Sequence, residues 1–175
     1  ISTDAVGQPG QRLEQHQVAI AAAKQAGVKH VAYTSIARAD ASKMPLAYDH
    51  LGTENALKAS SLGWTLLRNN LYVESALFNL MQLPQAIASG KLVTATGDGG
   101  AAFITREDCA RAATAALMAT TQESRTLEIS GPAAVTGKEI AQLASEITGR
   151  KVAFESIPAA ALKAGLAQHG LPQPI

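Results

Sequence analysis

Apolar positions along the chain alternate between two periods. Short runs rich in β-branched and aromatic residues, Val28 to Thr34 and Gly63 to Leu67 among them, read as buried strands. Between them the apolar residues recur at helical spacing. From Gln11 onward Leu13, Ile20 and Ala23 share that spacing, and Gly27 supplies the stop. Tyr48 to Ser60 predicts a second helix after a loop from Ile36 to Pro45. Ile1-Ser2-Thr3 reads as the end of a strand, and Asp4 to Gly10, with two glycines and a proline, as the loop after it. Strands separated by helix-length crossovers must pair in parallel. The order therefore predicts an α/β fold with a doubly wound parallel sheet, in which Val28–Thr34 and Trp64–Arg68 are neighbours.

The second half carries shorter elements. Val73 to Leu80 predicts an apolar helix, Pro84 to Gly90 a bend, and Leu92-Val93 a short strand. Gly97-Asp98-Gly99-Gly100 is a tight turn, too short for a phosphate-binding loop. Thr105 reads as an N-cap with Glu107 and Asp108 in the first turn of a helix running to about Met118. Leu127 to Ile129 is a strand. Thr136-Gly137-Lys138-Glu139 fits a capping box ahead of a helix over Ile140 to Ile147. Lys151 to Phe154 closes as a strand and Ala159 to Gln168 as a helix. One domain results, with the sheet over residues 1–90 and mostly a smaller, substrate-side lobe over 91–175. Both chain ends read as cut, which suggests an interior piece of a longer protein.

Composition narrows the function classes. With 47% apolar and 17% charged residues the chain has the balance of a folded globular domain. A net charge of +1 and scattered cations exclude a nucleic-acid surface and an anionic-membrane surface. No apolar stretch is long enough to span a bilayer, and no signal peptide is visible. Cys109 stands alone, so no internal disulfide forms, and a cytoplasmic setting is the default.

Candidate chemistry gathers where a strand ends. Trp64-Thr65-Leu66-Leu67 runs into Arg68-Asn69-Asn70, and ligands of open α/β sheets bind outside the carboxyl ends of the strands. These groups either cap neighbouring backbone or meet a ligand. Thr34 and Ser35 close the preceding strand in the same way. Ser2, Thr34 or Ser35, and Asn69 are expected to converge on one rim. His50 and Glu54 share a helix face, so His50 is either a surface residue or a proton relay, and the nearby carboxylate would favour its charged form. The four histidines lack metal-ligand spacing. Cys109, Trp64 and Tyr33 read as packing.

Spread along the chain are Val6-Gly7-Gln8, Ala22 to Lys29, Ala32-Tyr33-Thr34-Ser35, His50 with Thr53-Glu54, Leu67-Arg68-Asn69-x-x-Tyr72, and Gly97-Asp98-Gly99 with Thr105-Arg106. In these the sequence resembles the NmrA-like group of atypical short-chain dehydrogenases, near the NADPH-dependent quinone and triphenylmethane dye reductases. The resemblance implies a Rossmann-like fold, NADP(H) as cofactor, and a Gly-rich dinucleotide motif ahead of Ile1. It implies that Ser2, Thr3 and Asp4 line the adenosine-to-ribose side of the cofactor. Asn69, Asn70, Leu71 and Tyr72 would lie beside the nicotinamide, with Thr34 and Ser35 on the same rim and Arg106 reaching toward the cleft. His50 and Glu54 stand in the places of the group's Tyr-x-x-x-Lys pair, which makes His50 and Tyr72 the catalytic candidates. A small electrophilic acceptor, a quinone or a cationic dye, is the implied substrate. Loss of the Tyr/Lys pair keeps a second reading open, a non-catalytic regulator that senses NADP(H).

Overall fold

A computed structural model of the chain describes residues 8, 10–75, 82–119 and 123–168. The expected strand end at Ile1, the loop residues Ser2, Thr3 and Asp4, and most of the helix expected over Val73 to Leu80 lie outside them.

The described elements run α1 (Gln11–Gln25), β1 (His30–Ile36), α2 (Pro45–Ala59), β2 (Gly63–Asn69), α3 (Gln82–Ser89), β3 (Lys91–Thr94), β4 (Gly100–Ala101), α4 (Arg106–Met118), β5 (Arg125–Ile129), β6 (Val135–Thr136), α5 (Gly137–Thr148), β7 (Ala153–Ser156) and α6 (Ala159–Gln168). Two compact units emerge. The first holds residues up to Asn70 together with Ile104–Ser130, and the second holds Leu71–Phe103 with Gly131–Pro174. The sequence reading draws one line at residue 90 instead. The chain returns to the first unit because β5 supplies a strand that β2 needs as its second neighbour.

In the first unit β1, β2 and β5 form one parallel sheet with β2 in the middle. His30 pairs with Gly63 and Ile36 with Asn69, while Thr65 pairs with Arg125 and Asn69 with Ile129. The two expected neighbours are thus parallel and in one sheet. Every residue of β2 from Thr65 to Asn69 is buried, although alternate residues point to opposite faces. Both faces must therefore be covered, as a doubly wound sheet requires. Helix α2 packs on β1 and β2 as well as on α1, and α4 also packs on those strands. Leu57, Leu66 and Leu67 are the largest apolar side chains fully enclosed here, each contributing roughly 1.5–3 kcal/mol by burial.

The second unit is built around Ala86, Leu92, Ala141, Ala144 and Val152, with Leu83, Ile87, Ile140 and Phe154 closing on them. Its strands pair as β3 with β7, parallel, and β4 with β6, antiparallel. The expected capping box is formed in full: the Thr136 hydroxyl accepts from Glu139 N–H and the Glu139 carboxylate accepts from Thr136 N–H. The turn at Gly97 is present, with φ of 57° there and Gly99 N–H donating to Thr96 O at 3.0 Å. One expectation fails. Residues Pro84 to Gly90 do not bend the chain, because Gln82–Ser89 is a helix. Pro84 lies in its first turn, where backbone N–H groups have no helical partner to lose.

Candidate functional site

The carboxyl end of the three-stranded sheet gathers the predicted polar groups of the first unit. Beyond the last paired residues the ladder is extended on both sides: Ala37 N–H donates to Asn69 O at 2.8 Å and Asn70 N–H to Ile129 O at 2.9 Å. Asn69 is buried, and Asn70 is half-buried with its Nδ2 donating to Ser130 Oγ at 3.3 Å. Ser130, unnoticed in the sequence, therefore belongs to this rim. Any strand that pairs with β2 brings such a terminal residue, but that pairing is not readable from Ser130 itself. Thr34 is exposed and lies on the same face of β1 as Ile36, the partner of Asn69. Leu71 and Tyr72 follow directly in sequence and open the second unit, and Leu71 is exposed. Arg106 is the exposed first residue of α4, just after the N-cap Thr105, whose hydroxyl accepts from Asp108 N–H.

Ser35 points the other way. Its hydroxyl donates to Glu54 Oε1 at 2.7 Å, within a cluster under α2. Arg68 Nε donates to the same oxygen at 2.9 Å and Nη2 to Oε2 at 2.7 Å, a two-point grip on a carboxylate with no exposure. Arg68 Nη1 also lies 3.3 Å from both Asp40 and Glu128. Burial works to raise the Glu54 pKa, but the hydrogen bonds from Arg68 and Ser35 outweigh it, and the carboxyl titrates below its ordinary range. The hydrogen bonds to Glu54 hold the Arg68 guanidinium charged. Arg68 is thus spent on structure. Of the two readings open for the Arg68-Asn69-Asn70 run, internal pairing wins for the arginine.

His50 lies one turn earlier on the same buried stripe of α2 and is only 5% exposed. Its Nδ1 is 2.8 Å from the Tyr33 hydroxyl. Its neighbours complete a neutral cluster. His16 Nδ1 of α1 lies in hydrogen-bond contact with Thr53 Oγ1 at 2.9 Å, and that hydroxyl lies 2.8 Å from Asp49 O. The His16 and Tyr33 rings meet edge to face with centroids 5.6 Å apart. Burial first, then the positive charge of Arg12 and the competition of His16 for the same proton, push the His50 pKa down to about 4, and the pull of Glu54 in the other direction is too weak to offset them. The expectation that Glu54 would keep His50 charged is therefore wrong. Arg68 already neutralises that carboxylate, and the imidazole is desolvated. Tyr33, read as packing, is instead the hydrogen-bond partner of His50. Alternation along β1 places Tyr33 and Ser35 on one face, but which helix residues meet that face depends on how α2 docks. Among the described residues no cluster of ligating side chains could hold a metal ion, and no helix is long and apolar enough to cross a membrane.

Residues 3–175 match the model of the NmrA-like family. Quinone oxidoreductase 2 of Escherichia coli is 40% identical over 93% of this chain and 56% of its own length. An NAD(P)H azoreductase of Xenophilus azovorans is 28% identical, again over 93% of this chain and 56% of that protein. The crystal structure of the NADPH-dependent quinone oxidoreductase from Escherichia coli complexed with NADPH superposes with a TM-score of 0.86 at 38% identity, covering 95% of this chain and 58% of that one. The Citrobacter sp. triphenylmethane reductase complexed with NADP(H) gives 0.81 at 34% identity, covering 96% and 59%. This chain spans little more than half the length of these relatives. With its parallel sheet, its polar carboxyl edge and a family match over nearly its whole length, the chain belongs to the NmrA-like family.

Proposed function

We propose that this chain is part of an NADPH-dependent reductase that delivers a hydride to a quinone-like or dye-like electrophilic acceptor. The observation that carries the reading is the state of His50 and Glu54. Both are buried, Glu54 is locked to Arg68, and His50 is held neutral, so neither is a strong acid near pH 7. A reductase equipped in this way suits acceptors that need a hydride and little protonation by the protein. The names of the relatives, quinone oxidoreductase, azoreductase and triphenylmethane reductase, point to the same acceptor class.

The donor set at the sheet edge fits a dinucleotide. Thr34, Asn69 and Asn70, with Ser130, offer hydroxyls and amides and no fixed charge, which is what a carboxamide and ribose hydroxyls require. Bound there, NADPH would supply the hydride. The chain's own residues would hold and orient the reactants, so the rate would come mainly from positioning. Asn69 and Asn70 are assigned to the nicotinamide side, and Ser2, Thr3 and Asp4 to the adenosine-to-ribose side. Leu71, Tyr72 and Arg106 keep the cofactor-side assignment that the resemblance implies, Tyr72 also as a catalytic candidate, while Ser35 supports Glu54. His50 is the residue that meets an acceptor oxygen, in a cytoplasmic setting.

The test is steady-state NADPH oxidation by the full-length protein carrying this chain, with a benzoquinone and a triarylmethane dye as acceptors. Turnover of at least one is expected. Saturable NADPH binding with no turnover of either would instead favour the regulator that senses NADP(H).

A further inference from the structure

Helix α1 holds to the rest of its unit by very little, and the main holdfast can take up a proton. Of Gln11–Gln25 only His16 is buried, at 2% exposure. Its Nδ1 lies 2.9 Å from Thr53 Oγ1 of α2, and its ring meets Tyr33 of β1 edge to face. Leu13 adds an apolar contact three residues earlier. It sits so close over Gly52 of α2 that a Cβ there would come within 2.7 Å of Leu13 Cδ2. A helix with so few enclosed groups belongs to the low end of local stability.

The seam accepts the His16 ring only while it is neutral. Arg12 faces it from α1 itself, Asp49 and His50 from α2, and Tyr33 from β1. Burial first, then Arg12, lowers the His16 pKa, and Asp49 opposes them without prevailing. An imidazolium carries N–H on both ring nitrogens. Nδ1 has Thr53 beside it, but Nε2 is enclosed with no hydrogen-bond partner among the described residues. Protonation in place would therefore add a charge and an unmet donor to a seam that already holds a guanidinium. In water the same ring titrates near 6.5.

We propose that His16 is an acid-sensitive latch: neutral, it holds α1 against α2 and β1, and protonated, it lets α1 come away while the sheet stays folded. The sign follows from the preference of the docked ring for the neutral form. Docking is fully favoured above pH 6.5 and weakens as the pH falls below it, by up to about tenfold per pH unit until the docked ring itself titrates. Leu13 on Gly52 carries no charge and contributes equally on both sides of this window.

Hydrogen–deuterium exchange of the full-length protein, corrected for the intrinsic pH dependence of amide exchange, reads α1 over Gln11–Gln25 and the sheet over Gly63–Asn69. At pH 7 the amides of α1 should be at least about tenfold less protected than those of β2, which marks an opening of the helix alone. From pH 7 to pH 5 the protection of α1 should fall at least about fivefold. Equal protection of the two segments at pH 7, or a smaller fall in α1, overturns the proposal. His16→Gln keeps a polar side chain for Thr53 and removes the titration, so it should shrink that fall by at least about half. A fall that does not shrink overturns the role of His16. His16→Leu also removes the titration and is read in the same way if the glutamine variant does not fold.

Discussion

Helix α2 buries two polar clusters side by side, and they reach stability by opposite routes. Under Glu54 the charges stay: carboxylate and guanidinium face each other through two hydrogen bonds, with Ser35 on a remaining lone pair and Asp40 and Glu128 around the outer nitrogen. Under His50 the charges are absent. Two imidazoles, a phenol and a threonine hydroxyl share neutral hydrogen bonds, and His16 Nε2 is enclosed with no partner among the described residues. A buried charge is tolerated where a rigid, two-pronged partner stands opposite it. An imidazole without such a partner stays neutral instead. The contrast explains how two residues one helical turn apart on α2 differ in chemistry. Glu54 is a structural anchor, and His50 stays neutral beside Tyr33.

The largest way to break the contrast is to remove the guanidinium. Arg68→Met leaves Glu54 buried without its partner and should cost about 3–5 kcal/mol in urea denaturation of the protein. The pair Glu54→Leu with Arg68→Met removes both charges and should recover most of that loss, since apolar replacement of a buried ion pair is often close to neutral. A cost below about 1 kcal/mol for Arg68→Met would show that water reaches Glu54 and that the pair is not buried in effect.

Acid offers the next largest effect, and it separates the clusters by their windows. His50 titrates near 6.5 when unfolded and about 4 when folded, so the unfolded chain takes up the proton first. The stability this gives is fully present above pH 6.5 and is lost as the pH falls toward 4, up to about 3 kcal/mol and less where the ring edge stays hydrated. Glu54 also titrates below its ordinary value, so its contribution is present above about 4.5 and lost as the pH falls further. Denaturation midpoints measured from pH 7 to 3 should fall through both windows, and His50→Gln should shrink the upper loss to the part that His16, its pKa also lowered by burial, contributes. A flat profile between 6.5 and 5 would mean that His50 is not desolvated.

How much of this was legible in the sequence follows from the range of the interactions. The parallel pairing of β1 and β2 was readable because each strand carries its own short apolar run and the crossover between them is helix-length. The Thr105 and Thr136 caps were readable because donor and acceptor lie three residues apart. Pro84 misled because a proline inside a helix interior and one in its first turn look alike until the helix start is known. The two-residue strands β4 and β6 have too few residues for any period to show. At the site, Asn69 and Asn70 announced the sheet edge, but the ionisation of His50 did not follow from its spacing to Glu54. It depends on Arg68 from β2 and on Arg12 and His16 from α1, all fixed by tertiary packing.

The smallest expected effect sharpens the same contrast. Lys58 stands one turn beyond Glu54 on α2, with its Nζ 3.6 Å from Glu54 Oε2. It looks like a second counter-ion for the buried carboxylate. Yet its side chain is 39% exposed, its distance is longer than the 2.7 Å of Arg68, and its ammonium also lies 5.8 Å from the centre of the Trp64 ring. Both contacts are made at the protein surface, where water screens them and the flexible stem pays entropy to hold one geometry. Lys58→Met keeps the apolar stem over the indole and removes only the charge. It should therefore cost no more than about 0.5 kcal/mol, and less in high salt. If the loss instead approaches that of Arg68→Met, the carboxylate is shared between two cations, and the two-pronged grip alone does not keep Glu54 charged.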